Sequence, residues 1–135
     1  MTLDQQKHLE KSKGKVRIAR EMVDRRPVDP AALDNAAHNA YYAMIHIAQA
    51  FLEEHVAPKA SHGQIIGEFG RIYVKPGVVQ KSYGKNLNDG QSTRNIGDYN
   101  EASNVTLQAA QEIVSQAEAF VALCETSLDG LYIKP

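Results

Sequence analysis

Polar side chains suited to binding recur between positions 35 and 46 at steps of four, three and four residues: Asn35, Asn39, Tyr42 and His46. On a helix this spacing places them on one face, with His38 beside that face. Amide, phenol and imidazole groups on an otherwise Ala-rich helix need hydrogen-bond partners. A facing helix, a partner chain or a ligand could each supply them, and the sequence leaves these alternatives open.

A second polar set lies in the segment Arg94-Asn95-Ile96-Gly97-Asp98-Tyr99. The guanidinium of Arg94 could clamp a phosphate through two parallel hydrogen bonds, since it keeps its charge at any physiological pH. Alternatively the segment builds a helix start, in which Asp98 caps free amides and pairs with Arg94 while Tyr99 packs with its hydroxyl outward. Both interpretations fit the sequence.

The sequence gives little support to metal or phosphate-loop chemistry. All five histidines lie at or before position 62, and Cys124 is the only cysteine. None of them has the spacing of a zinc or di-iron motif. Gly84-Lys85 lacks both the upstream glycine and the following Ser or Thr of a phosphate-binding loop. We therefore expect no metal site and no cofactor.

Helices must position these residues. Four segments have helical patterns, at about residues 3–25, 30–55, 61–75 and 101–126. Asp29-Pro30 is a start signal for the second, and the Ser-x-x-Gln spacing of Ser61 and Gln64 is one for the third. No segment alternates with the period of a strand. The predicted fold class is an all-α, up-and-down bundle of four to five helices.

Glycine marks the region that should be least regular. Seven of the nine glycines fall between positions 63 and 97. Because glycine weakens helices, we expect irregular chain between the third and last helices, with a plain turn at Asp89-Gly90.

Length and composition indicate one globular domain. The chain has 135 residues, of which 43% are hydrophobic and 23% charged, so neither a disordered chain nor a membrane-spanning one is expected. We expect a single domain over residues 1–135, with its core at about 3–126 and a C-terminal tail at 127–135. The lone cysteine and the lack of a signal-peptide pattern favour a cytoplasmic location.

Charge is unevenly distributed although the net charge is only -1. Residues 1–26 carry eight Lys or Arg and four acids, a net +4, whereas residues 98–130 carry six acids and no Lys or Arg, a net -6. One end could meet phosphates while the other repels them. Alternatively, two antiparallel helices of opposite charge lie side by side.

Three motifs together carry a family resemblance. They are Asn39-Ala40-Tyr41-Tyr42-Ala43-Met44-Ile45-His46, then Ser61-His62-Gly63, then Arg94-x3-Asp98-Tyr99 ahead of a long Ala-rich last helix. Their order resembles the HEPN domain over about residues 30–125, in particular small stand-alone bacterial and archaeal HEPN proteins. The resemblance implies a helical bundle, a homodimer, and a gene beside a minimal nucleotidyltransferase in toxin–antitoxin or defence loci.

The resemblance also implies a chemistry from which this sequence departs. Many HEPN proteins are metal-independent ribonucleases whose Arg-x4-6-His motif, paired across the dimer, cleaves RNA through attack of its 2′-hydroxyl. Here Arg94 matches the arginine, but Tyr99, Asn100 and Glu101 occupy the positions where the histidine would lie. None of these titrates near neutral pH without a large pKa shift.

Three functions are consistent with the sequence. In the first, which we favour, the protein is a non-catalytic HEPN-type module that dimerises and binds a protein partner and a nucleotide or RNA phosphate. Its ligand-binding residues would be Arg94, Asn39, Tyr42, His46, Asp98 and Tyr99. The second is a divergent ribonuclease toxin that combines Arg94 with His38 or His46. The third is a purely structural interaction protein.

Overall fold

The computed structural model describes residues 1–25, 29–53, 55–57, 59–99 and 105–128, with the backbone alone over 93–99. Within these ranges the chain forms five α-helices and no strand: α1 (Leu3–Asp24), α2 (Pro30–Phe51), α3 (His62–Phe69), α4 (Lys81–Tyr99) and α5 (Leu107–Leu123). α3 and α5 each continue into a π-helical turn, at Gly70–Val74 and Cys124–Leu128. The predicted all-α fold class is confirmed.

The predicted start signals of α2 and α3 act as caps. The Asp29 side chain accepts a hydrogen bond from the Ala31 amide, and Ser61 and Gln64 each accept from the other's amide in a capping box. α2 ends four residues before the expected end at His55. The backbone N–H of Leu52 already shares its hydrogen bond between the carbonyls of Ala48 and Gln49. Such shared bonds tighten and close the last turn of a helix.

α1 packs antiparallel on the Ala-rich face of α2 through polar as well as apolar contacts. The buried Gln5 amide donates to the Ala50 carbonyl at 3.0 Å, and the buried Ser12 hydroxyl donates to the Ala43 carbonyl at 2.8 Å. Both donors lie on the same stripe of α1 as its buried apolar residues Leu9, Val16, Ala19 and Val23. These two hydrogen bonds fix the register in which α1 faces α2.

Oppositely charged residues join α1 to α5 and to the π-helical turn that continues it. Lys13 pairs with Glu125 at 3.1 Å, and Arg20 pairs with Glu118 at 2.5 Å. Residue numbers rise along α1 as they fall along α5, so the helices run antiparallel. This is the side-by-side arrangement of opposite charges that the sequence allowed. The ion pairs neutralise part of the net positive charge of α1.

α4 corrects the expectation of irregular chain between the third and last helices. Asp89-Gly90 is not a turn but lies inside this helix. A Cβ at Gly90 would lie 2.6 Å from Met44 Cε and 3.4 Å from the nearest atoms of Tyr41 and Ile113. The glycine is therefore present because α4 passes close to α2 and α5, and packing there outweighs low helix propensity.

The last helix and the C-terminus also differ from expectation. α5 begins at Leu107, where the Thr106 hydroxyl caps the Ala109 amide, rather than near 101; positions 101–104 lie outside the described residues. Buried residues extend two positions past the core bound expected at about 126. Leu128 is 1% exposed and belongs to the core, because the π-helical turn carries the apolar face of α5 further. Residues 129–135 are not described.

Candidate functional site

Two residues of the predicted α2 stripe, Tyr42 and His46, meet side chains from α1 and α3. We name this surface the histidine face and define it by the half-buried side chains of His8, His38, Tyr42, His46 and His62. Four of the protein's five histidines lie on it. His38, Tyr42 and His46 are one helical turn apart on α2, so tertiary packing adds His8 from α1 and His62 from the start of α3.

The Tyr42 ring is the centre of the histidine face. Its centroid lies 4.6 Å from that of His38 and 5.1 Å from that of His62, nearly edge-on. The Lys15 ammonium lies 5.7 Å from the same centroid, within the range of a cation–π contact. Aromatic rings and a cation are therefore grouped at a partly exposed surface.

His8 and His46 form a direct pair across α1 and α2. Their Nδ1 atoms lie 3.2 Å apart, so one ring donates a proton and the other accepts it. Burial, followed by the charges of His8, Lys15 and Lys11, lowers the pKa of His46 from 6.5 to about 4, although the contact with Gln49 acts the other way. Burial and Lys11 also lower the pKa of His8, against the opposing charges of Asp4 and Glu53. Both imidazoles are therefore neutral at pH 7.

His62 is held by the phenol of Tyr41. The Tyr41 oxygen and His62 Nδ1 lie 3.0 Å apart, and Tyr41 is completely buried. The bond occupies Nδ1 and fixes the ring orientation. A buried residue of α2 thus orients the imidazole that begins α3.

Lysines line the α1 side of the histidine face. Lys7, Lys11 and Lys15 follow at steps of four, so they share one side of α1. Lys7 and Lys11 are exposed. They also line a cleft of about 340 Å³ between α1, the end of α2 and α3. We call it the α1–α2 cleft; its other lining residues are Asp4, His8, Gln49, Glu53, Val56, Ala57 and Ile65.

Asn39, another predicted ligand-binding residue, has a local role as well. Its side-chain amide donates to the Asn35 carbonyl at 2.9 Å, within α2. This bond satisfies one donor of the amide and leaves its oxygen for other partners. The other two predicted ligand-binding residues of the stripe, Tyr42 and His46, make the contacts with α1 and α3 described above.

Arg94 does not precede a helix start, because its backbone lies within α4. The predicted side-chain roles of Arg94, Asp98 and Tyr99 lie outside the described residues. Position 94 follows Gly90 by one helical turn on the same side of α4, and Gly90 packs on Tyr41. Gln91 lines a cleft together with Gly63, so this part of α4 runs past the start of α3.

The described residues hold no group of three or more His, Cys, Asp or Glu side chains that could bind a metal ion. Over the same ranges no helix is both long and apolar enough to span a membrane.

Comparison with known proteins relates the chain to small prokaryotic proteins. No family model matches it. It is 28% identical over 99 residues to a UPF0332 protein of Thermotoga maritima, covering 73% of this chain and 75% of that protein. A UPF0332 protein of Gloeobacter violaceus is 29% identical over 122 residues, covering 90% and 93%.

A third relative has a name that mentions a function. The Methanocaldococcus jannaschii protein named "Putative toxin MJ0605" is 33% identical over 88 residues, covering 64% of each chain. The relatives thus include a protein named for toxicity, which agrees with the toxin-like character implied by the sequence motifs.

Proposed function

We propose that the protein is the HEPN-type member of a prokaryotic toxin–antitoxin or defence system, and that it binds RNA on the histidine face without cleaving it. In this proposal it forms a homodimer and has a minimal nucleotidyltransferase as its protein partner. The order of motifs along the sequence and the relative named for toxicity support this assignment.

The observation that carries RNA binding is the set of contacts around Tyr42. Its ring has His38 and His62 on its sides and the Lys15 ammonium near it. Single-stranded RNA is bound by aromatic side chains that stack on bases and by cations that follow the phosphates. The row formed by Lys7, Lys11 and Lys15 supplies such cations along α1.

The state of His46 favours binding over cleavage. With a pKa of about 4, this imidazole is neutral at pH 7, so it lacks the imidazolium form that acts as a general acid, and it is a weak base. Its Nδ1 is also occupied by His8. General acid and base catalysis works best when the pKa lies near the working pH, so His46 is poorly suited to the catalytic role considered from sequence.

The test is binding of a fluorescent single-stranded RNA dodecamer, measured by anisotropy at several salt concentrations. Lys15→Gln should weaken binding and reduce the dependence on salt by about one counterion. The matched control is Lys81→Gln, which removes an exposed lysine at the start of α4 and should leave binding unchanged. Failure of the wild-type protein to bind RNA, or an equal effect of both substitutions, would contradict the proposal.

Arg94 separates this proposal from the structural alternative. If its guanidinium clamps phosphate, Arg94→Ala weakens RNA binding at least tenfold and Arg94→Lys weakens it less, because lysine keeps the charge but loses the bidentate geometry. Full binding by Arg94→Ala, with an unchanged melting temperature, would support a purely structural role for this residue.

A second candidate function is a divergent ribonuclease, and the position of His62 favours it. His62 is oriented by Tyr41, and α4 carries position 94 past the start of α3. In such a reaction the imidazole takes the 2′-hydroxyl proton, the freed oxygen attacks the adjacent phosphorus to form a 2′,3′-cyclic phosphate, and the P–O5′ bond breaks as the 5′-oxygen takes a proton from water. Incubation of total RNA with the wild-type protein and with His62→Gln decides: cleavage by the wild type alone supports this function, and no cleavage by either refutes it.

A further inference from the structure

The α1–α2 cleft continues the histidine face toward the end of α2 and is separate from the contacts around Tyr42. His8 belongs to both surfaces, since it pairs with His46 and also lines the cleft. A volume of about 340 Å³ lies in the range of pockets that hold small ligands. The cleft is therefore large enough for one flat ring system, but too small for a folded segment of another protein.

Gln49 has a buried polar atom that lacks a hydrogen-bond partner in the described part of the chain and is available to a ligand. Its Oε1 is buried and has no hydrogen-bond partner among the described residues. It is close enough to His46 to raise the pKa of that ring as a hydrogen-bond acceptor does, yet it forms no hydrogen bond of ordinary distance and angle with the ring. A buried oxygen without a donor is unfavourable, and most such atoms in proteins are paired. The last torsion of a glutamine is soft, so a modest rotation presents this oxygen to a donor in the cleft.

The other lining residues limit the chemistry of that ligand. Val56, Ala57 and Ile65 provide an apolar wall, which suits the face of a flat ring. The exposed ammonium groups of Lys7 and Lys11 stand at the rim, where an anionic group would pair with them. The ligand should combine a flat ring, a hydrogen-bond donor at its edge and an attached negative charge.

Two carboxylates further restrict which ring the cleft can bind. Asp4 and Glu53 line the same cleft, and Glu53 is held in place by the Thr2 hydroxyl. Carboxylates accept hydrogen bonds and donate none when ionised. They favour a ring edge with an amino group, which offers two N–H donors, over that of uracil, which offers only its single ring N–H between two carbonyl oxygens.

We propose that the α1–α2 cleft receives one unstacked adenine of the bound RNA, with Gln49 as the residue that recognises it. The inference rests on the proposed function, since it names the base preference of RNA bound at the histidine face. The glutamine side chain can accept from the adenine amino group and donate to the ring nitrogen beside it, a pairing known from base recognition. Lys7 and Lys11 bind the phosphate of the same nucleotide.

The test compares binding of oligo(A) and oligo(U) hexamers, and of AMP and UMP, by the wild-type protein and by Gln49→Leu. The wild type should bind oligo(A) about tenfold more tightly than oligo(U), as expected for one well-formed bidentate base contact. Gln49→Leu should bind both with the affinity that the wild type has for oligo(U). Gln80→Leu, at an exposed position before α4, is the matched control and should keep the preference.

Gln49→Asn guards against a folding defect, because it keeps the amide but withdraws it by one methylene; it too should lose the preference. Equal binding of oligo(A) and oligo(U) by the wild type, with AMP no tighter than UMP, overturns the adenine cleft and leaves the proposed function standing. If neither hexamer binds but AMP binds through Gln49, the cleft stands and RNA binding is wrong. Absence of all binding overturns both.

Discussion

The His8–His46 pair predicts a loss of stability on mild acidification. The pKa of His46 is 6.5 in an unfolded chain and about 4 in the folded protein. Between these values the unfolded state binds more protons, so stability is full above pH 6.5 and falls as the pH drops toward 4. The groups that face His46 and set this shift are His8, Lys15, Lys11 and Gln49.

The size of this effect follows from the two pKa values. Linkage gives a loss of about 2 kcal/mol between pH 7.5 and pH 5 for a shift from 6.5 to about 4. His46 is only half-buried, and solvent screening reduces the expected loss to about 1 kcal/mol. The measurement is urea unfolding of the wild type and of His46→Gln at both pH values. The wild type should lose about 1 kcal/mol more than the variant.

Two further measurements test whether His46 causes this loss of stability. His55→Gln removes an exposed histidine between α2 and α3 and should keep the wild-type loss. Titration of the His46 ring by NMR should show a midpoint well below 6.5. The reasoning is refuted if His46→Gln and the wild type lose the same stability between pH 7.5 and pH 5, or if His46 titrates at its ordinary value.

Three further predictions concern packing and assembly. Gly90→Ala should lower the free energy of unfolding by about 1 kcal/mol, because the crowding of Met44 outweighs the gain in helix propensity, whereas Gly14→Ala, with open space at its Cβ, should raise it by about 0.5 kcal/mol. Ser12→Ala should cost about 1 kcal/mol by removing the hydrogen bond to Ala43. Light scattering at micromolar concentration should give twice the 14.9 kDa mass of one chain.

Each of these has a clear contrary result. Equal effects of the alanines at Gly90 and Gly14 in thermal unfolding would show that α4 does not approach α2 as closely as described. An unchanged urea midpoint for Ser12→Ala would mean that this bond does not contribute to stability. A monomeric mass would contradict the homodimer of the proposed function.

Sequence patterns predicted the elements whose boundaries are set locally. The caps at Asp29 and Ser61 and the buried stripe of α1 depend on residues within one or two turns, so they could be read directly. α4 could not, because its glycines have low helix propensity and Leu87 is fully buried in a segment that is otherwise polar. The close approach to Met44 that explains Gly90 depends on the packing of distant segments.

The candidate site was predicted only in its α2 part. Tyr42 and His46 share a face by helical spacing alone, but His8 and His62 reach that face from α1 and α3. Their proximity depends on how the helices pack, which no local pattern specifies. The steps of four between Lys7, Lys11 and Lys15 were a usable signal, since they place three cations on one side of a helix.

The two polar anchors between α1 and α2 have a consequence for how this surface can evolve. Gln5 and Ser12 lie seven residues apart, as do their acceptors Ala50 and Ala43. Both bonds therefore form in the same register of α1 on α2. A slip of one turn would break both together, leaving buried polar groups stranded. The alignment of the two helices therefore does not depend on the exposed lysines. Substitution of those lysines can change which ligand binds without changing how α1 packs on α2.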